Sequence, residues 1–346
     1  MKQLILSFLC FAAAFMLCAS VIRLYGRAGA QKTESAADPA ETAAIPEPAA
    51  PSETFAQPVT MPAENSFDQR FHLPVLHEGK IVSMSLYRYV LGALLGEMPT
   101  SFEQEALKAQ ATACRTYALR QYLHRKHDSA AVCTEPGCCM NWVDPDEFLV
   151  NYGKDTFERA QTAVRDTDAV AIWYLDEPIC ATFFSCACGR TEDASAVWGG
   201  EVPYLRSVES ADPGAPYAAD SVFVSFEEFA AILQAENEMA VFPEDGSGWI
   251  GEASYTNGGG VDTWELGGCI YTGVQLRRLF GLRSTDFSID LTEDGVLFTT
   301  HGFGHRVGLS QYGANAMAEE GRDYAEILQW YYTGTVIKNA ENLSHN

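Results

Sequence analysis

The pattern of apolar and polar positions divides the chain into three stretches. Residues 4–22 are apolar or small without interruption, with Lys2 before them and Arg23 and Arg27 after. That length just spans a bilayer core of about 30 Å as a helix. Residues 1–27 are therefore expected to form a single-pass membrane anchor, with a cleaved signal peptide as the alternative. The arginines after the span weaken the positive-inside signal, so orientation rests on the character of the residues beyond them. Residues 28–65 turn to Ala, Pro, Glu, Thr and Ser, with Ile45, Phe55, Val59 and Met61 as the larger apolar side chains. Such a segment cannot bury enough surface to offset its chain entropy, and a disordered linker is expected. From residue 66 to about 340 the apolar periodicity predicts a folded, extracytoplasmic domain.

Within that domain, helix and strand signals alternate irregularly, predicting an α+β fold of mixed helices and antiparallel sheet. Residues 81–97 read as a strand running into an apolar helix. Thr100 with Glu103, or Ser101 with Gln104, offers a capping box for a long helix reaching about Lys126. The helix face of Ala106, Ala109, Ala113, Thr116 and Tyr117 is mostly small, so a neighbouring backbone can approach closely. Residues 160–165 continue as a helix into a strand over 169–175. A second strand over 179–185 is expected to complete a β-hairpin through the turn at Asp176–Pro178. Further on come a helix over 226–237, a strand over 267–271 and a short helix over 273–280 ending at Gly281.

Glu97 is the most informative position. It closes the run from Leu86, in which the other ionisable side chains are Arg88, Tyr87 and Tyr89. Pro99 disfavours helix at the residue before it, which places Glu97 at a helix C-terminus. Apolar surroundings and the negative end of a helix dipole both disfavour a charged carboxylate. A glutamic acid kept protonated near neutral pH can serve as a general acid. The plain alternative is a helix-end Glu turned to solvent. Gln110 and Arg115 project from the long helix and are expected to reach the Glu97 region, with ordinary surface polarity as the alternative.

Composition narrows the field. The formal net charge of −23 argues against nucleic acid, which needs a basic face. Beyond Cys10 and Cys18 in the leader stand Cys114, Cys133, Cys138, Cys139, Cys180, Cys186, Cys188 and Cys269. His127, Cys133, Cys138 and Cys139 fall in one short loop and suit a Cys₃His zinc set. Four protein donors would make it structural, pinning the loop and leaving the chemistry at Glu97 untouched. A disulfide from Cys133 to Cys138 or Cys139 stays open, and His124 is a competing ligand. The loops from Ser185 to Glu192, Trp198 to Gly200 and Pro203 to Ser207 combine polar and aromatic residues suited to sugar binding. His301 and His305 lack the spacing of a helical zinc motif.

The run from Tyr89 through Glu97 to Pro99, with Glu105 through Gln110 and Arg115–Tyr117, resembles the stage II sporulation protein D family. So do Gly189–Glu192, Trp198–Gly200, Pro203–Val208, Gly281–Phe287, Gly302–His305 and Ser310–Ala314, all in the same order. The resemblance covers about residues 68 to 338. It implies a membrane-anchored lytic transglycosylase cutting peptidoglycan glycan strands during engulfment of the forespore. Wall amidases and membrane proteins of an engulfment complex would be its partners. Glu97 falls on the family's catalytic acid/base, and Gln110, Arg115, Tyr204, His305, Ser310 and Gln311 fall on positions implied to line the substrate groove. Some clostridial members carry a zinc after the long helix, which His127, Cys133, Cys138 and Cys139 would hold here. No cofactor is implied for the cleavage itself. Departures are Cys114 in the Ala-Arg-Thr-Tyr motif, Cys186 and Cys188 in place of small residues, and Arg306 where glycine is usual.

A single carboxyl suits this reaction. Hydrolases ordinarily flank the bond with two carboxylates, whereas a lytic transglycosylase lets the sugar's C6 hydroxyl close onto C1. The competing class is a non-catalytic wall-binding amidase activator of the same superfamily. A zinc hydrolase with Glu97 as base is a third reading, weakened by a cluster with no open position.

Overall fold

Where sequence periodicity predicts a strand ahead of Glu97, a hairpin forms. In the computed structural model, which describes residues 66–135, 137–216 and 218–343, His72–His77 pairs antiparallel with Lys80–Ser85. Glu78 and Gly79 make the turn with φ of +47° and +74°, the left-handed pair that matches strand twist. Val132–Cys133 joins the other edge in parallel. The expected anchor and linker lie outside the described residues, and no described helix is long and apolar enough to cross a membrane.

Ser85 ends the hairpin and caps the helix Leu86–Glu97 by accepting from the Arg88 N–H at 3.2 Å. The long helix runs from Gln104 to His124 and is the axis of the larger core. Ala106, Ala109 and Ala113 are fully buried, which allows the predicted close approach of neighbouring helices. Neither expected capping box forms: Glu103 occupies the N-cap without a side-chain bond. Other elements satisfy this end instead. Arg159 donates to the Thr100 and Phe102 carbonyls at 2.8 and 2.6 Å, and the Glu103 N–H goes to Asn315 Oδ1 at 2.7 Å.

The hairpin expected over 169–185 is only partly realised. Val170–Tyr174 pairs with Glu177–Pro178 on one edge and with Val336–Asn339 on the other. Phe183–Phe184 pairs instead in parallel with Leu309–Ser310. Strand character was legible there, but the partner lies far along the chain.

A second hydrophobic core gathers Phe229, Leu233, Trp264, Leu276, Phe280 and Phe298. It is built from two three-stranded antiparallel sheets and the helices Phe226–Glu236 and Gly273–Phe280. The latter starts at a Thr272/Gln275 capping box and stops at Gly281, in the left-handed conformation. Both sheet and helix are therefore present as the α+β reading expects, with antiparallel pairing dominant.

Buried charge links segments from both cores. Arg306, 1 % exposed, lies 3.5 Å from Glu192 and 3.2 Å from Asp286. It also donates to the Arg190 and Gly258 carbonyls, both at 2.9 Å. Its φ of +60° is the backbone state glycine adopts freely. The arginine keeps the backbone turn and adds a guanidinium to the joint.

Candidate active site and Cys/His cluster

Leu86, Tyr89, Val90, Ala93 and Leu94 fix one side of the Glu97 helix in the core, each without solvent exposure. Glycines at positions 92 and 96 open another side. A Cβ on Gly92 would sit 2.2 Å from Trp142 Nε1, and one on Gly96 would sit 2.6 Å from the Asn141 carbonyl oxygen. Glycine weakens a helix interior, and here the missing side chains leave room for the segment 141–143. That segment is stitched down by Val143 N–H to the Gly92 carbonyl at 3.1 Å and by Asn141 Nδ2 to the Gly96 carbonyl at 2.6 Å.

Glu97 is the last residue of its helix and is half-buried. Its Oε1 accepts the Asn141 backbone N–H at 2.5 Å, and its carbonyl accepts from Gln311 Nε2 at 3.0 Å. Burial pushes the carboxyl up to about 7, against which the Asn141 bond pulls down. Neither cause is a neighbouring carboxylate. The group can thus hold a proton near neutral pH and release it readily.

The structure sorts the other expected groove residues. Gln311 bonds Glu97 directly. Gln110 is buried one step away: its Nε2 meets Cys114 Sγ at 3.4 Å while its Oε1 has no protein partner. Cys114 feels the Glu97 charge, but burial is the main reason its thiol is pushed up to about 12. Arg115 is a correction. It does not project towards Glu97 but is wholly enclosed, with Asp68 at 2.6 Å and the Val164 carbonyl at 3.1 Å. A guanidinium that far from water must be paired, and Asp68 pairs it.

Tyr204, Ser310 and His305 are also held by internal bonds. Tyr204 Oη accepts the Cys180 N–H at 3.0 Å. Ser310 Oγ reaches Asp212 and the Ser185 carbonyl, both at 3.3 Å, and caps the helix Gln311–Glu319. His305 sits against Trp198 and Phe184, and burial lowers it to about 4, so it is neutral. Its Nδ1 accepts from the Val307 N–H at 3.1 Å, which leaves the proton on Nε2.

One donor cluster stands out among the described residues. The ligand atoms of His127, Cys133, Cys138 and Cys139 all lie within 4.8 Å of one another. His127 Nε2 is 3.4 Å from Cys139 Sγ and 3.9 Å from Cys138 Sγ. Spacings of this size suit donors placed about 2.0–2.3 Å from one tetrahedral ion. Hydrogen bonds from Cys133 and Cys139, helped by Lys126 and His127, lower the Cys138 thiol and favour its thiolate. No disulfide forms among the eight described cysteines. His124 turns away to Glu177 at 3.4 Å. Beyond the cluster the same loop reaches the site, because Asn141, two positions after Cys139, bonds the Glu97 carboxylate.

Asn141 and Asp68 escaped the sequence reading. A backbone N–H has no signature in the sequence. The two glycines four apart in an apolar helix were the available signal that something packs there.

With this geometry in place, comparison with known proteins is direct. The family description "Stage II sporulation protein" matches residues 77–174. The chain is 35% identical over 301 residues to stage II sporulation protein D of Bacillus subtilis, covering 83% of this chain and 81% of that one. It is 34% identical over 270 residues to stage II sporulation protein D of Bacillus amyloliquefaciens, covering 76% of each. It is more distantly similar, 24% over 295 residues, to the amidase enhancer of Bacillus subtilis, covering 71% of this chain and 40% of the enhancer.

Proposed function

We propose that this chain, which belongs to the stage II sporulation protein D family, is a lytic transglycosylase that cuts peptidoglycan glycan strands during sporulation. The observation that carries this reading is Glu97, a half-buried carboxyl pushed up to about 7 without a carboxylate beside it as a cause. As an acid, Glu97 protonates the glycosidic oxygen between N-acetylmuramic acid and N-acetylglucosamine. The C1–O bond breaks, and the departing sugar takes the proton. The Glu97 carboxylate then accepts the proton of the C6 hydroxyl as that oxygen bonds to C1, leaving a 1,6-anhydro end. No second carboxylate is needed to activate water, in contrast to hydrolysis.

Gln311 steadies the end of the Glu97 helix, and Gln110, with its free Oε1, is the candidate for contact with sugar or an ordered water. Tyr204, Ser310 and His305 shape the loops around the groove through the internal bonds already described. Arg115 supports the long helix from inside. His127, Cys133, Cys138 and Cys139 would hold a structural zinc, whose part is to complete a closed shell and brace the loop. Residues 4–22 would anchor the chain in the cell membrane with this domain outside, near wall amidases and membrane partners of an engulfment complex.

A second reading comes from the distant likeness to the amidase enhancer: a wall-binding protein that stimulates an amidase without cutting glycan. Digestion of purified glycan strands, with mass analysis of the ends, separates the two. We expect 1,6-anhydro ends from the parent and a loss of roughly a hundredfold or more in Glu97→Gln, as for loss of an acid/base group. Equal cleavage by both proteins would remove Glu97 from the chemistry, and no cleavage by the parent would favour the activator.

A further inference from the structure

The loop that touches Glu97 is the continuation of the Cys/His cluster. Its first side is tied to the Glu97 helix by Tyr89 Oη, which donates to the Cys133 carbonyl at 3.1 Å. Cys133 N–H points to Cys139 Sγ at 3.4 Å, closing the loop on itself. Its second side returns along the same helix through the bonds of Asn141 and Val143 to Gly96 and Gly92. Among the described residues, Glu97 Oε1 takes one hydrogen bond, from Asn141, and none is formed to Oε2. An oxygen that accepts an N–H at 2.5 Å is a poor place for the acid's proton. The proton is thereby directed to Oε2.

We propose that Asn141 is a positioning residue for Glu97: its side-chain amide, clamped on the Gly96 carbonyl, aims its own backbone N–H at Oε1 and so selects Oε2 as the acid, while the Cys/His cluster holds the loop in place. This rests on Glu97 being the acid of the proposed reaction. Asn141 is itself exposed, so replacing it removes the clamp without opening the core. Gly96 tests the same contact from the other side, since a Cβ there would collide with the Asn141 backbone and leave Glu97 chemically unchanged.

The experiment uses the full chain with Asn141→Ala, Asn141→Asp and Gly96→Ala. Each is assayed on purified glycan strands free of stem peptides, and Glu97 is titrated by carbon-13 NMR without substrate. Asn141→Asp keeps the shape but replaces the donor with an oxygen facing a carbonyl. A hydrogen bond to a charged acceptor favours the charged form, so losing it should move the Glu97 midpoint upward in all three variants. The alkaline limb of kcat/KM should move with it. We expect kcat to fall about tenfold with KM within about twofold, and unchanged melting temperature for the Asn141 variants. A merely structural role would move stability and leave the Glu97 midpoint where it is. Unchanged midpoints in both Asn141 variants overturn the proposal. If the midpoints shift while Glu97→Gln still cleaves, the positioning contact stands and the catalytic reading falls.

Discussion

Arg115 and Asp68 form an ion pair closed off from water, with Nη2 2.6 Å from Oδ2 and side-chain exposures of 0% and 1%. The remaining guanidinium donors go to Thr167 Oγ1 and the Val164 and Val170 carbonyls. The pair ties the first turn of the described domain to the middle of the long helix. Removing one partner of a buried pair leaves the other charge uncompensated, at a cost of about 3–5 kcal/mol. Asp68→Ala is expected to lose stability of that order in urea denaturation. Arg115→Lys should also destabilise, because an ammonium lacks the planar fork these acceptors require. An Asp68→Ala protein within about 1 kcal/mol of the parent would mean the pair does not hold the fold.

The pH dependence of activity follows from Glu97. A general acid must carry its proton, and this carboxyl is raised from 4.5 to about 7 by burial. Glycan cleavage, measured as kcat/KM, should therefore fall as pH rises through about 7. Equal rates well below and well above that point would remove Glu97 as the acid.

The same shift predicts a stability signature with a definite sign. A carboxyl with the higher pKa in the folded chain binds its proton more tightly there. Its contribution is fully present below about 4.5, declines between the two values and is lost once pH passes about 7. Glutamine cannot ionise. Glu97→Gln should match the parent's melting temperature near pH 4 and exceed it near pH 8. A variant less stable than the parent at the alkaline end would show that burial does not oppose the charge.

Gly92 makes room for Trp142, whose ring also packs edge-on against His77 at 5.3 Å between centroids. A methyl at position 92 would meet the indole 2.2 Å from Nε1. Alanine favours a helix interior by about 1 kcal/mol over glycine, but overpacking costs about 1–3 kcal/mol. Gly92→Ala is expected to lower thermal stability by up to about 2 kcal/mol despite its better helix propensity. A net gain would show that Trp142 swings aside freely.

For the Cys/His cluster, the purified chain should carry about one zinc, since four protein donors complete a tetrahedral shell. The ligands bind deprotonated, so chelation should release the ion more readily at mildly acidic pH. Cys133→Ser should lower both metal content and melting temperature. Metal-free protein with Cys133 in a disulfide would defeat this expectation.

Several features were legible in the chain itself. Residues 86–97 form a helix because their apolar positions demand a core and Ser85 can cap it. Pro99 stops that helix near Glu97, and the apolar run around the carboxyl is what raises it. The helix 273–280 carries both of its boundary signals, Thr272 with Gln275 and Gly281, within a few residues. His127 and the three cysteines lie close enough in sequence for their grouping to be read.

Tertiary structure alone decided which way Arg115 faces, which strand Phe183–Phe184 joins and what touches Glu97. Periodicity reports that a position is buried, but a helix says nothing of what will be packed on it. Asp68 is 47 residues from Arg115, and Asn141 is 44 residues from Glu97. The donor to Glu97 is a backbone N–H, which every residue except proline possesses. It has no letter in the sequence, and only the path of the loop across Gly92 and Gly96 brings it to the carboxylate.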